Sequence, residues 1–179
     1  LGNTNEAINS YKQALSINPD YADAYNNIGI IYHEMGQLDE AIKYYEKAIA
    51  ISPEYAQAHN NLGITLNKLG EFQKAIKFYE QALIINPSYD EAYFNLGVTL
   101  YELNQSDEAL NSYEQALSIN PDYADAFNNI GIILQELGQF NDAFSHYVYA
   151  LAIDPDNAEF HRNLSILKQY KEGDTQFTH

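Results

Sequence analysis

The chain has no cysteine, no tryptophan, one methionine, and only 9 lysines and arginines against 25 aspartates and glutamates in 179 residues. Lack of cysteine excludes a disulfide framework, thiolate-held zinc or iron–sulfur, and a thiol nucleophile, while leaving the redox compartment open. No apolar run approaches the ~20 residues of a bilayer-crossing helix, so membrane insertion is not expected. The scarcity of cations weighs against nucleic acid. Residues 78–161 carry no Lys or Arg and 14 acidic side chains, whereas a phosphate backbone needs clustered positive charge. With 46% hydrophobic residues behind a net charge of −16, the composition is that of a folded acidic protein rather than a disordered one.

What is present is a repeat. Proline stands at 19, 53, 87, 121 and 155, always 34 residues apart, and other residues keep the same period. Ala7, Ala41, Ala75, Ala109 and Ala143 form one register, Tyr11, Tyr45, Tyr79, Tyr113 and Tyr147 a second, Ala14, Ala48, Ala82, Ala116 and Ala150 a third, and Gly29, Gly63, Gly97 and Gly131 a fourth. Within a unit, Ala24, Ile28, Ile31, Tyr32 and Met35 make one helical stripe, and Ala41, Ile42, Tyr45, Ala48 and Ile49 another, so each unit is two short helices. Gly36, Gly70 and Gly138 fall between the two, with Asn104 in the same place once, where a left-handed residue ends a helix. Asp39-Glu40 and Asp107-Glu108 open the second helix, whose dipole favours negative charge there, and each proline ends it. The glycine of the first helix and the alanines of the second remove bulk where the pair approaches, with Tyr45 filling the adjoining space.

The unit 22–55, with Tyr25, Ile28-Gly29, Tyr32, Ala41, Tyr45, Ala48 and Pro53, resembles the tetratricopeptide repeat. The pattern returns at 56–89, 90–123 and 124–157, with His59 standing where an aromatic ring is usual. The resemblance implies an all-α, right-handed superhelical solenoid of antiparallel helix hairpins. Residues 1–21 then hold the second helix (4–17) of a truncated repeat, 158–172 a capping helix and 173–179 a polar tail. The missing first helix suggests a piece of a longer array, with Ile8, Tyr11 and Leu15 less covered than their equivalents. At the other end Lys168 and Lys171 replace apolar residues on the face that would meet another unit, as a terminal helix requires.

No catalytic constellation is present: no GxSxG, HExxH, phosphate-binding loop or GxGxxG. His33, His59, His146 and His161 lack ligand spacing and read as surface or interhelical polar residues. The run Asp154-Pro155-Asp156-Asn157 lacks the glycine and downstream spacing of a calcium loop. Neither metal nor cofactor is expected.

The informative register is asparagine: Asn27, Asn61, Asn95, Asn129 and Asn163, flanked by Asn26, Asn60 and Asn128. Asparagine is a mediocre helix former, so its recurrence in mid-helix needs a cause. On the first-helix face, which the resemblance makes concave, these amides would form a ladder able to bond the backbone of an extended peptide. Ile30, Ile64, Val98 and Ile132 would line it with an apolar strip. The resemblance extends to the repeat region of O-GlcNAc transferases and related bacterial proteins, where such asparagines are thought to hold peptide backbone. The alternative is that the amides bridge adjacent units. Four residues earlier, Asp23, Gln57, Glu91, Asp125 and Glu159 form an acidic rim that suits a basic peptide and repels a carboxylate tail. The expected function is a non-catalytic scaffold binding a protein or peptide. Two rivals are a substrate-recruiting segment of a larger glycosyltransferase or sulfotransferase, and a scaffold that self-associates weakly through its uncovered N-terminal helix. The cytoplasm is the favoured compartment.

Overall fold

The computed structural model describes the backbone of residues 2–176 and the side chains of 4–169. Among the described residues the fold is all helical, in ten helices. The chain forms two compact units, Leu1–Thr99 and Leu100–His179. The first contains α1 (Gly2–Ile17), α2 (Ala22–Glu34), α3 (Leu38–Ile51), α4 (Ala56–Lys68), α5 (Phe72–Ile85) and most of α6 (Asp90–Glu102). The second contains the end of α6, then α7 (Ser106–Ile119), α8 (Ala124–Glu136), α9 (Phe140–Ile153) and α10 (Ala158–Gln176). In each unit antiparallel helices pack as hairpins, α2 on α3, α4 on α5 and α8 on α9, and successive hairpins stack through α3 on α4 and α9 on α10.

The hairpin turns follow from one backbone requirement. Gly36, Gly70 and Gly138 have φ of +73°, +76° and +75°, and Asn104 has +58°, the left-handed region that glycine and then asparagine enter most cheaply. That geometry lets the next amide reach back over the helix end, as Gln37 N does to Tyr32 O at 2.9 Å and Gln139 N to Leu134 O at 2.8 Å. α3 stops at Ile51, just before Ser52-Pro53, because the residue preceding proline is driven out of the helical region.

The core is built from the period-34 tyrosine. Tyr45, Tyr79, Tyr113 and Tyr147 are only 1–2% exposed. A Cβ placed on Gly29 would lie 2.6 Å from Tyr45 Cε1, and one on Gly63 or Gly131 equally close to Tyr79 or Tyr147. Gly29, Gly63 and Gly131 therefore leave room for a tyrosine ring of the facing helix, a more specific role than close backbone approach. Around the ring, Ala24, Ala41 and Ala48 are fully buried, so the hairpin is one large ring clasped by small residues.

At the ends, α1 begins two residues before the expected 4, and α10 continues past 172 to Gln176; Glu172 stands where the internal first helices meet Gly36, Gly70, Asn104 and Gly138. Ile8 is buried and Leu15 half-buried, so neither is less covered than its equivalent Ile42 or Ile49, while Tyr11 is half-buried where Tyr45 is buried. α10 buries Phe160 and Leu167 and exposes Lys168; the side chain of Lys171 and residues 177–179 lie outside the described residues.

Candidate functional site

The asparagines divide into two sets by burial. Asn27, Asn61, Asn95, Asn129 and Asn163 are all half-buried, as are Ile30, Ile64, Val98 and Ile132. The flanking Asn26, Asn60 and Asn128 are 3%, 0% and 2% exposed. They were expected at the groove; they are buried in the seam between repeats, where they meet the next repeat. Asn61 Nδ2 donates to Asn26 Oδ1 at 3.0 Å and Asn95 Nδ2 to Asn60 Oδ1 at 3.1 Å. In the second unit Asn163 Nδ2 donates to Asn128 Oδ1 at 2.9 Å. Within each unit, amide bonds with a step of 35 residues thus tie a repeat to the one before, the bridging arrangement that the sequence left as an alternative.

One position differs for a reason visible in the sequence. The residue 35 before Asn129 is Phe94, which has no amide, and Asn129 Nδ2 donates instead to Tyr113 Oη at 3.3 Å. The position that bonds the equivalents of Tyr113 has changed as well. Tyr45 and Tyr79 bond the hydroxyls of Thr65 and Thr99, both fully buried; the same register then reads Ile133 and Leu167. Tyr147 accordingly donates to Gln135 Oε1 at 3.1 Å. Burial raises the Tyr147 hydroxyl to about 12 and lifts Tyr45, Tyr79 and Tyr113 further.

A second tyrosine register, Tyr21, Tyr55, Tyr89 and Tyr123, is one that sequence reasoning missed. Asn60 Nδ2 donates to Tyr89 Oη at 3.4 Å, and the Tyr55 hydroxyl bonds Asp23 and Asn26. These rings close the far side of the seam. The signal was available as one more period-34 position beside each proline. Where the register turns to Asn157, its Oδ1 caps α10, accepting from Glu159 N at 3.1 Å.

The rim residues Asp23, Gln57, Glu91, Asp125 and Glu159 are all exposed. In the second unit, partial burial and then the charges of Glu159 and Asp154 hold the Asp125 carboxyl above its ordinary value. The described histidines are not gathered. His33 Nδ1 lies 2.8 Å from Thr65 Oγ1, His59 Nε2 2.9 Å from Pro53 O, His146 Nδ1 2.8 Å from Asp142 O, and His161 Nε2 2.7 Å from Pro155 O. Among the described residues no group of three His, Asp or Glu is placed to hold a metal ion, and no helix is long and apolar enough to cross a membrane.

His33 gives a pH dependence. Burial first, then the Lys68 charge, lowers its pKa below 6.5, with Glu34 opposing. Below 6.5 the unfolded chain therefore takes up a proton that the folded chain resists, so acidification favours unfolding. Melting temperatures measured from pH 7 to pH 5 should fall more for the wild type than for His33→Gln. Parallel curves would show that His33 is not the coupled group.

Tetratricopeptide-repeat family models match residues 20–88 and 54–122, a TPR-repeat model matches 1–36, and a further tetratricopeptide-repeat model matches 124–157. No curated protein matches the chain. Among solved structures, MamA is 27% identical with a TM-score of 0.77, over 88% of this chain and 92% of that one. YrrB, described as a TPR protein with an unusual peptide-binding site, is 24% identical with a TM-score of 0.73, over 90% and 84%. A thermophilic TPR protein of Thermus thermophilus is 20% identical with a TM-score of 0.75, over 94% and 92%; the last two likenesses speak to the fold alone.

Proposed function

Since the chain belongs to the tetratricopeptide-repeat family, we propose that it is a non-catalytic interaction module that holds an extended peptide along its first-helix face. In the first unit Asn27, Asn61 and Asn95 grip the peptide backbone beside Ile30, Ile64 and Val98, in the second Asn129 and Asn163 do so beside Ile132, and the acidic rim favours a basic segment. The observation that carries this is the unspent capacity of the ladder. A side-chain amide has two donors and an acceptor oxygen; Asn61 and Asn95 each use one N–H on the previous repeat. The Asn27 side chain, half-buried, has no hydrogen bond among the described residues. The bridging bond fixes the orientation of the Asn61 and Asn95 amides, so their remaining donor and acceptor are already placed when a peptide arrives, which lowers the cost of ordering them. Family membership and the peptide-binding description of YrrB point the same way.

The test is binding of basic and neutral extended 12-mers to the wild type, Asn27→Ala, and Asn61→Ala with Asn95→Ala. Asn27→Ala should weaken binding several-fold and the double variant by about tenfold or more, with helicity retained and a modest salt dependence. Binding unchanged in all three proteins would overturn the assignment of these amides to a peptide.

A further inference from the structure

The position where His59 breaks the aromatic register lines a hollow whose walls and edge charge differ from those of the neighbouring hairpin. At the equivalent place one repeat earlier, Tyr25 lies 6.2 Å from Tyr44, and the Lys47 ammonium covers both rings at 5.6 and 5.5 Å. One repeat on, the three positions read His59, Phe78 and Gln81. His59 is drawn back by its bond to the Pro53 carbonyl and is 6% exposed, its ring 6.0 Å from that of Phe78. Here a hollow of about 420 Å³ is walled by Ile49, Pro53, His59 and Phe78 and edged by Lys74 and Lys77, whereas the hollow of about 390 Å³ on the preceding hairpin carries the carboxylates of Glu40 and Glu46 in its lining. His59 Nδ1, in that wall, is buried without a hydrogen-bond partner, an unusual state for a polar atom.

The edge inverts the charge of the rest of the protein. The register of Lys74 holds Glu6, Glu40, Glu108 and Asp142 elsewhere, and that of Lys77 holds Asn9, Lys43, Asn111 and Ser145. Lys74 is ion-paired with Glu71, an exposed pair that costs little to exchange. Lys77 is exposed and, among the described residues, has no ion pair. In a chain of net charge −16, two cations around an apolar floor attract what the remaining surface repels.

We propose that this hollow is a second binding site, for an acidic peptide segment of a partner protein in which an aromatic or branched aliphatic side chain lies between carboxylates. The apolar side chain packs on Phe78 and Ile49, and the flanking carboxylates pair with Lys74 and Lys77. Two cations are too few for a nucleic-acid backbone, and a basic segment of the kind suited to the acidic rim is excluded by charge. The chain then holds two partners of opposite charge at separate sites.

The probe is a fluorescein-labelled nine-residue peptide of Asp and Glu around a central Phe, read by anisotropy. Controls are the same peptide with Ser for Phe and one with Lys for the acids. Two variants use residues that other repeats already carry at these registers and so keep the fold: His59→Tyr, which puts a larger ring into the wall without changing edge charge, and Lys74→Glu with Lys77→Asn. The acidic Phe peptide should bind the full chain, each variant should weaken it by about tenfold or more, and Asn61→Ala with Asn95→Ala should leave it unchanged. No binding, equal affinity for the Ser peptide, or wild-type affinity in His59→Tyr would each overturn the site.

Discussion

Gly63→Ala is expected to lower the unfolding free energy by about 2 to 3 kcal/mol, since overpacking a filled core forces neighbours off their rotamers. Alanine is otherwise the better helix former by about 1 kcal/mol, so a propensity argument predicts the opposite sign. Geometry decides: the added Cβ would sit 2.6 Å from Tyr79 Cε1 and 2.8 Å from Cδ1. Tyr79 cannot move aside because it is 1% exposed among Ala41, Tyr45, Leu62 and Leu66. Chemical denaturation of Gly63→Ala, Tyr79→Leu and the double variant measures this directly. The coupling should be large, with Gly63→Ala costing much less once the ring is gone. A Gly63→Ala protein as stable as the wild type would refute the ring-on-glycine contact.

Asn60→Ala and Asn27→Ala should differ sharply although both remove an asparagine from a first helix. Asn60 is fully buried, accepts from Asn95 and donates to Tyr89. Its loss leaves the half-buried Asn95 amide and Tyr89 hydroxyl without these partners and opens a cavity, a cost of about 2 to 3 kcal/mol. The Asn27 side chain is half-buried with no hydrogen bond among the described residues, and its replacement should change stability by about 0.5 kcal/mol or less. Equal costs would mean that the two registers share one structural role. The pair thereby separates stacking from binding, the two roles that a single asparagine row could serve.

That separation was half legible in the sequence. The period fixed which positions carry asparagine, and helical spacing put them on the first helices, but adjacent positions 26 and 27 look alike on paper. Their fates differ because a rotation of one residue around a helix, about 100°, turns one amide into the seam and the other toward solvent. The substitution of Phe94 in the buried row was also visible, whereas its consequence, the transfer of the Asn129 bond to Tyr113, depends on a hydroxyl 16 residues away in sequence. The glycine register was recognised as a close-approach position, yet its partner was set by the facing helix. His59 was noted as a departure; that it lines a hollow beside Lys74 and Lys77 requires three helices in place.

The sequence by itself determined the repeat: its length, its two helices, the left-handed turn residue and the proline stop, all of which are local consequences of backbone sterics and apolar spacing. Tertiary packing alone decided which member of each asparagine pair is buried, where each tyrosine hydroxyl finds its partner, and which lysines share a hollow with His59. Those outcomes depend on distances between residues about one repeat apart, which local propensity does not encode.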